Sequence, residues 1–497
     1  MRYVISGTDF KQVDKYTIDT VGIPSLVLME RAALSVAEEV IKCTNHTERI
    51  TAVCGIGNNG ADGVAAARIL CNRGYDTCVY FIGSMEKATE EFKKQISIYE
   101  IMGGRVLEYN GEIQGDVIID AIFGIGLSRN VEGKYKDVIE CINGLEKKVF
   151  AVDIPSGVNA DTGKIMGECV RADVTVTFGM KKLGHIFYPG ADYSGKVVVS
   201  EIGFPEVSYC NLEHFYILEN DDFTMIPKRE NASNKGTYGK VLVVAGNDDM
   251  SGAAFMCAKS CLRMGAGMVK VFTTKGNENL IKTMLPEAMV SIYNEHDYKE
   301  KLQNNIEWCD VAIVGPGMGM GKLQNDIVRE TLNAQIPTVI DADGINCLSM
   351  EQSLRDELHK NVVITPHIGE MARFTGISVN DIKNDLISIA KEYAKKYNIT
   401  IVLKDARTII SNGKKVYINT NGNNGMSTAG SGDVLAGIIG AFLARKVNTV
   451  EAGAVGVYVH GMAGDMAAKK ISKTALIATD IIEELTDITK IIEKTGA

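Results

Sequence analysis

The sequence is poor in several of the residues that advertise function. It has one Trp, 9 Pro and 7 His in 497 residues, and no Cys-x-x-Cys pair. The 11 Cys are scattered, and the closest two, Cys257 and Cys261, stand at helical spacing. Zinc spacing is therefore missing, and so is a disulfide framework, which points to thiols in a reducing compartment. The N-terminal MRYVISGTDF lacks the apolar core of a secretory signal. The most apolar stretch, Val434 to Ala444, falls short of the ~20 residues that span a bilayer and is interrupted by glycine. Basic excess is missing too. The formal net charge is −9, which argues against a general nucleic-acid binder. These absences lead us to expect a soluble, cytoplasmic protein that binds neither nucleic acid nor membrane.

Glycine is abundant: 50 residues, clustered in short loops after apolar runs. The length exceeds what one hydrophobic core holds, so two domains are expected. Val/Ile-rich runs alternate with amphipathic stretches, the rhythm of βαβ units and parallel sheets. The rhythm occurs twice. The first series lies at 50–54, 77–83, 116–124, 148–157, 172–179 and 195–203. The second lies at 239–246, 267–274, 310–317, 337–344, 361–367 and 400–406. Residues 204–238 break it with Pro205, Pro227 and the polar run KRENASNKG. The expected domains are 1–212 and 213–497. Each is α/β: an N-terminal Rossmann-like three-layer sandwich and a C-terminal three-layer α/β/α domain.

In the first half, GIGNNGADG (55–63) links a strand to a helix, and Gly55, Gly57 and Gly60 match a dinucleotide-binding GxGxxG. The next strand ends in FIGSM, without the acid that would hold a ribose. Asn58, Asn59 and Asp62 add polar side chains that a plain phosphate cradle does not need. Asp120 ends another strand, before a glycine loop with Arg129, and Asp153 and Ser156 end the next. Carboxyl ends of parallel strands are where such sheets bind ligands. Asn59, Asp120 and Ser156 together suit a hard monovalent or divalent cation. The alternative is that the aspartates cap helices or turns. TFGMKKLGHIFYPG (177–190) adds Lys181, Lys182 and His185; residue type alone places its lysines on a solvated surface.

The second half carries STAGSGDVLAG (427–437). Ala429, Gly430, Ser431 and Gly432 make a small-residue loop opening onto a helix expected to begin near Asp433. Its first N–H groups and the helix dipole make an anion hole. Asp433 is placed to take a proton from a hydroxyl aligned with a phosphoryl group. The alternative is a capping Asp, but four small residues in a row weaken a plain helix start. His367 follows a strand, after Pro366 and before Gly369, at another carboxyl end.

GNNGADG, DAIFGIGLSRN, VDIPSGVNADTG and KKLGHIFYPG together resemble the NAD(P)HX epimerase family, the YjeF N-terminal type, over roughly 1–212. Its members interconvert the R and S forms of hydrated nicotinamide cofactors. The resemblance implies substrate contacts at Asn58, Asn59, Gly60, Ala61 and Asp62, at Gly124, Ile125, Gly126, Leu127, Ser128, Arg129 and Asn130, and at Asp153. It implies potassium on Asn59, Asp120 and Ser156. Epimerisation at carbon 6 requires an acid and a base, and we assign proton transfer to Asp153 and Lys182. Ala61 stands where glycine is common, a change that removes no ligand.

The STAGSGDVLAG motif resembles the ribokinase-like superfamily. GKVLVVAGNDDMSGAA, KSCLRMGAGMVKV, VAIVGPGMG, VIDADGIN, ITPHIGEMARF and VLKDART narrow the resemblance to the ADP/ATP-dependent NAD(P)HX dehydratase family over roughly 213–497. It implies that Ala253, Gly317, His367 and Asp433 contact the hydrate. It also implies that Lys404, Asp405, Ala406, Arg407, Thr408 and Gly432 bind the adenosine nucleotide. Asp405 stands where the family has glycine.

The implied function is repair of hydrated NADH and NADPH. The first half epimerises them; the second dehydrates the S form with Mg²⁺ and ADP, ATP being open as donor. A homo-oligomer is expected. The rivals are a ribokinase-like small-molecule kinase fused to a nucleotide-binding domain, a non-enzymatic binding module and a redox enzyme.

Overall fold

The computed structural model describes residues 2–210 and 212–495. Tertiary contacts divide them into a unit from Tyr3 to His214 and a unit containing Phe215 onward.

The N-terminal unit has strands β1 (Arg2–Ile5), β2 (Ile50–Gly55), β3 (Thr77–Ile82), β4 (Arg105–Glu108), β5 (Val117–Ala121), β6 (Lys148–Val152), β7 (Val174–Phe178), β8 (Lys181–Lys182) and β9 (Lys196–Ser200). The main sheet runs β4-β3-β2-β5-β6-β7-β9, all parallel. Its central strands β2 (ITAVCG) and β5 (VIIDA) are buried at every position because helices cover both faces. The helix Ser25–Cys43 shows why. Leu28, Met29, Ala32, Ala33, Val36, Ala37 and Val40 recur at helical spacing and are buried, while its other face carries Glu30, Arg31, Glu38 and Lys42 with Val27 and Leu34 exposed among them. Beside this sheet, β1 and β8 pair in parallel, Ile5 opposite Lys182.

The second unit contributes β10 (Phe215–Ile217), β11 (Lys240–Val244), β12 (Met268–Thr273), β13 (Met289–Ile292), β14 (Val311–Val314), β15 (Thr338–Ile340), β16 (Val362–Ile364), β17 (Thr400–Leu403), β18 (Ile409–Ser411) and β19 (Val416–Ile418). Their order is β13-β12-β11-β14-β15-β16-β17-β18-β19-β10. β17 to β19 form an antiparallel meander on an otherwise parallel sheet. The helices Ser431–Ala444 and Thr449–Lys470 are buried nearly all round. Gly437 lets the first cross the helix Ser251–Arg263 closely, since a Cβ there would lie 2.2 Å from the Cys257 carbonyl oxygen.

Every strand of the two expected series is present, and both units are α/β with parallel sheets. The rhythm did not foretell β1, β4, β8, β10, β13, β18 and β19. β4 and β13 are half-exposed edges; β1, β8, β10, β18 and β19 are short strands outside the alternation of strand and long helix. The helix after the small-residue loop begins at Ser431, two residues before Asp433, because Gly430 takes the left-handed turn (φ 89°) that starts it.

Candidate active sites

In the N-terminal unit, β2, β5 and β6 are neighbours, so Gly55, Asp120 and Asp153 lie together at their carboxyl ends. The helix Asn58–Asn72 starts directly after β2 and folds tightly against it. A Cβ on Gly60 would lie 1.7 Å from the Gly55 carbonyl oxygen, whereas one on Gly57 would meet nothing within 4 Å. Gly60 is therefore demanded by the turn, Gly55 by the Ile122 carbonyl oxygen 2.2 Å from where its Cβ would lie, and Gly57 leaves open space.

That space belongs to a cavity of about 590 Å³. Asn58, Asn59, Asp62, Asp153 and the run Gly124 to Arg129 line it. Gly60 and Ala61 are buried beneath the loop, and Asn130 is exposed beyond the cavity wall.

Asp153 sits in a strained turn. Its φ is 66°, and the Ile154 N–H closes the turn on the Val152 carbonyl (2.8 Å). Lys182 donates to Asp153 Oδ1 (2.7 Å), Thr177 Oγ1 (2.9 Å) and the Phe178 carbonyl (3.0 Å), and its Nζ lies 3.8 Å from the Phe10 ring centroid. All three ammonium hydrogens are thus used, and the side chain is 0% exposed. The surface reading of the lysines is wrong for Lys182: pairing of β8 with β1 turns it inward. Lys182 reaches the cavity only through Asp153. His185 Nδ1 accepts the Lys182 N–H (3.0 Å), which leaves Nε2 to donate to the Asp153 carbonyl (2.9 Å).

Charge follows from these contacts. Burial raises the Asp153 carboxyl, but Lys182, by charge and hydrogen bond, brings it below its ordinary value. Burial pulls Lys182 down, against Asp153. Burial, with Lys182 beside it, drops His185 to about 4, so it stays neutral. Burial lifts Asp62 well above the carboxylate range, with Asp153 and Asp14 adding to it.

Asp120 is wholly buried, and no cationic side chain among the described residues pairs with it. Its oxygens accept the Ser156 N–H (2.8 Å) and Ser156 Oγ (2.6 Å). Burial still lifts it to about 6 against those bonds. The buried Asn59 Nδ2 has no hydrogen-bond partner. An unpaired buried carboxylate, a hydroxyl and an unsatisfied amide make an oxygen-rich set that fits a monovalent cation, provided the Asn59 amide turns its oxygen inward.

In the second unit, β14, β15, β16 and β17 are consecutive in the sheet. Their carboxyl ends bring Gly317, Asp341, His367 and Lys404 to one rim. Ala253, in the first turn of Ser251–Arg263, touches Gly317: a Cβ on Gly317 would lie 2.9 Å from the Ala253 Cβ. Gly317 holds φ 58°, which suits glycine. Lys404 follows β17, bridges His367 in parallel register and donates to Asp341 Oδ1 (2.8 Å). Thr365 Oγ1 donates to the same oxygen (2.6 Å).

The helix start faces this rim. A Cβ on Gly432 would stand 3.3 Å from Lys404 Nζ and 3.6 Å from Asp341 Oδ2. The Ser431 N–H bonds back to the Thr428 carbonyl (3.4 Å), whereas those of Gly432 and Asp433 have no intrahelical partner and so present donors beside a lysine. Ala429 and Gly430 precede the helix, and the buried Ser431 turns its hydroxyl to His460 Nε2 (3.2 Å). Burial raises Asp433 to about 7, Asp341 adding to it and Lys404 opposing. Asp405 and Ala406 are exposed, Arg407 donates to the Thr420 carbonyl (3.0 Å), and Thr408 bonds back to the Asp405 carbonyl (3.2 Å). His367 caps the helix Ile368–Thr375. Its Nδ1 accepts the Gly369 (2.9 Å) and Glu370 (3.3 Å) N–H groups while the ring stays half exposed.

Comparison with known proteins now decides the relationship. Residues 25–184 match the family described as YjeF-related protein N-terminus, and residues 241–487 match NAD(P)H-hydrate dehydratase. A bifunctional NAD(P)H-hydrate repair enzyme of Moorella thermoacetica is 35% identical, covering 99% of this chain and 97% of its own. That of Thermofilum pendens is 36% identical, over 96% and 94%. The chain belongs to the bifunctional NAD(P)H-hydrate repair enzyme family. A ribokinase-like superfamily protein from Enterococcus faecalis V583 matches in structure at 30% identity and TM-score 0.50, covering 56% of this chain and 96% of its own.

In this member of the repair enzyme family, motif reading overlooked two parts of the sites. The first is the helix Gly7–Tyr16, which brings Phe10, Lys11 and Asp14 to the N-terminal cavity and lies before the matched stretch. No strand-end motif marks it. The second is Asp341 with Thr365. Asp341 follows β15 as Asp153 follows β6, so the strand-end rule that singled out Asp153 would have found it.

Proposed function

We propose that this chain returns hydrated NADH and NADPH to use. Its N-terminal site epimerises the R and S hydrates, and its C-terminal site dehydrates the S form at the expense of ADP, giving AMP and phosphate. The observation that carries the second step is Asp433 in the first turn of the helix Ser431–Ala444, beside Lys404, with its carboxyl lifted to about 7. A group titrating there is matched to accept a hydroxyl proton near neutral pH.

The chemistry follows from the geometry. Asp433 takes the proton of the ring hydroxyl at carbon 6 as that oxygen attacks the terminal phosphoryl group. The first-turn N–H groups of Gly432 and Asp433, after the Ala429–Gly430–Ser431 turn, and the Lys404 ammonium hold the phosphoryl oxygens. The ring nitrogen's lone pair then expels phosphate to give a C=N bond, carbon 5 loses a proton to water, and the electron pair of that C–H bond forms the ring double bond as the lone pair returns to nitrogen, which restores the reduced cofactor. Ala253, Gly317 and His367 hold the hydrate; Lys404 to Thr408 and Gly432 hold the nucleotide. Asp341, Glu370 and Asp433 surround the single Lys404, and this surplus of negative charge suits Mg²⁺ arriving on the nucleotide's phosphates.

In the epimerase site, Asp153 is the base and Lys182 its positioning residue. Asn59, Asp120 and Ser156 would hold K⁺, which would supply positive charge to the site. The unpaired burial of Asp120 supports this assignment. Eleven free cysteines support a reducing, cytoplasmic setting. Among the described residues no helix is long and apolar enough to cross a membrane.

The test uses the full chain with separated R and S hydrates, and ADP and ATP in parallel. Asp433→Asn should lower nucleotide-dependent loss of the S hydrate by about 10³-fold, within the range for a lost general base, while R-to-S conversion continues. Normal dehydration by that variant sinks the assignment. A lasting phosphorylated product without NADH would support a small-molecule kinase instead.

A further inference from the structure

The epimerase site has a base in Asp153 and needs a second group that can move a proton at the substrate from another side. Lys182 does not fill the gap, because its three hydrogens are spent and its side chain is sealed under Asp153 and Phe10. Epimerisation at carbon 6 needs both an acid and a base. The hydroxyl must leave from one face of the ring carbon and water must return on the other.

The cavity offers two other carboxyls: Asp62, on the helix that follows β2 at the same sheet edge as Asp153, and Asp14, on an element outside that sheet. Asp14 lies on the helix Gly7–Tyr16, which Ser6 caps by accepting the Asp9 N–H (2.9 Å). The helix packs Phe10 and Val13 inward, and Phe10 stacks on Lys182, which fixes the helix over the Asp153 cluster. Asp14 lies one turn beyond Phe10 and lines the same cavity as Asp153. Among the described residues nothing hydrogen-bonds its carboxyl. It also approaches from a different element: Asp153 ends a strand, whereas Asp14 stands on a helix outside the main sheet.

We propose that Asp14 is a catalytic residue of the epimerase half, the acid that protonates the departing carbon-6 hydroxyl, with Asp153 as the base for the returning water. The inference rests on the epimerase reading above. In the R-to-S direction the ring nitrogen's lone pair forms a C=N bond as the C6–O bond breaks, and the hydroxyl leaves as water with the Asp14 proton. Asp153 then takes a proton from a water that attacks carbon 6 on the other face, and the electron pair returns to nitrogen. Solvent restores the proton to Asp14 and removes it from Asp153. In the reverse direction the two carboxyls exchange roles. No oxidant or co-reactant beyond water is required.

The surroundings of the two carboxyls agree with these roles. Burial, Asp153 and Asp19 raise Asp14 against Lys182, whereas Asp153 is held low by Lys182. Two carboxyls pushed apart in this way are an acid and a base. The charged groups around Asp14 are Lys11 on its own helix, Asp19 in the next turn, Asp62 on the helix after the glycine loop, Asp153 and Lys182, with Arg129 across the cavity.

The test is R-to-S conversion by the full chain without nucleotide, across pH. Asp14→Asn should lower kcat by about 100-fold or more, the usual worth of a general acid. It should also abolish the alkaline limb, on which the wild type slows as Asp14 loses its proton. Asp14→Glu should restore part of the rate with the limb displaced. ADP-dependent dehydration of purified S hydrate should match the wild type in both variants, which reports that the chain is folded. A rate within about threefold of wild type in Asp14→Asn, or a slow rate with an unchanged pH profile, overturns the proposal. If Asp14→Asn weakens the N-terminal unit, Asp14→Glu decides: a displaced limb supports the proposal and an unmoved limb overturns it. Asp153→Asn separates the two levels of inference. If it loses epimerisation while Asp14→Asn keeps it, only the acid assignment fails; if neither variant loses it, the epimerase site itself is misplaced.

Discussion

Lysine meets aspartate in both halves of the chain, and the two meetings differ in how much of the lysine is used. Lys182 is 0% exposed and gives its hydrogens to Asp153, Thr177 and the Phe178 carbonyl. Lys404 keeps 22% of its side chain exposed and makes one side-chain hydrogen bond, to Asp341, with Gly432 beside it. The histidines repeat the contrast. His185 spends both ring nitrogens on the fold, whereas His367 caps a helix with Nδ1 and leaves its ring half exposed. In the first half the cation sets the charge of a neighbouring carboxylate. In the second it remains free to meet an anion. The same residue pair therefore serves as internal electrostatics in one unit and as a binding group in the other.

The largest test of this contrast is to remove each lysine. Lys182→Met leaves the Asp153 carboxylate buried without its partner, and breaking such a pair costs about 3–5 kcal/mol. Lys404→Met also leaves a buried carboxylate, Asp341, but Lys404 makes one hydrogen bond where Lys182 makes three and is partly open to water, so it should cost less stability and should instead weaken nucleotide binding. Urea unfolding of the two units and the KM for ADP check both halves of the statement. Equal stability losses would mean that the two lysines do the same work.

A subtler test concerns the carboxyl that the lysine leaves unpaired. Asp433 stands at about 7 because burial and Asp341 raise it more than Lys404 lowers it. As a base it must be ionised, so dehydration should be slow at acid pH and rise through about 7. Asp341→Asn removes one raising charge and frees Lys404 to face Asp433. Both changes move the acid limb to lower pH, by about one unit for a single neighbouring charge. The position of the limb is the readout, whatever happens to its height. An unmoved limb would show that Asp341 does not set the Asp433 charge.

These contrasts also explain what the sequence alone made legible. Glycine loops after Val/Ile runs are local, so GNNGADG and STAGSGDVLAG could be placed at helix starts by reading along the chain. The strand-end rule found Asp120 and Asp153 and applies equally to Asp341. Lys181 and Lys182 are chemically identical neighbours, however, and only the pairing of β8 with β1 decides which is buried. Asp14 and Phe10 reach the cavity by tertiary docking of a helix, and helical spacing records that the helix has an inner face without saying what it covers. Lysine burial and helix docking are long-range facts, and a motif carries no trace of them.

The smallest effect expected lies at His367, where binding and folding share one ring. Nδ1 accepts the Gly369 and Glu370 N–H groups, and Glu370 returns a bond to the His367 N–H (2.8 Å). His367→Ala removes this cap and should cost about 1 kcal/mol. His367→Asn keeps an acceptor near the position of Nδ1 but has nothing in place of Nε2. If the ring serves both purposes, the alanine variant loses stability and hydrate affinity together, while the asparagine variant loses affinity alone. Unfolding midpoints and the KM for the S hydrate, measured on the same preparations, separate the two. Were the asparagine variant to bind the hydrate normally, His367 would belong with His185 as a residue of the fold, and the open character of the second site would rest on Lys404 and the helix start.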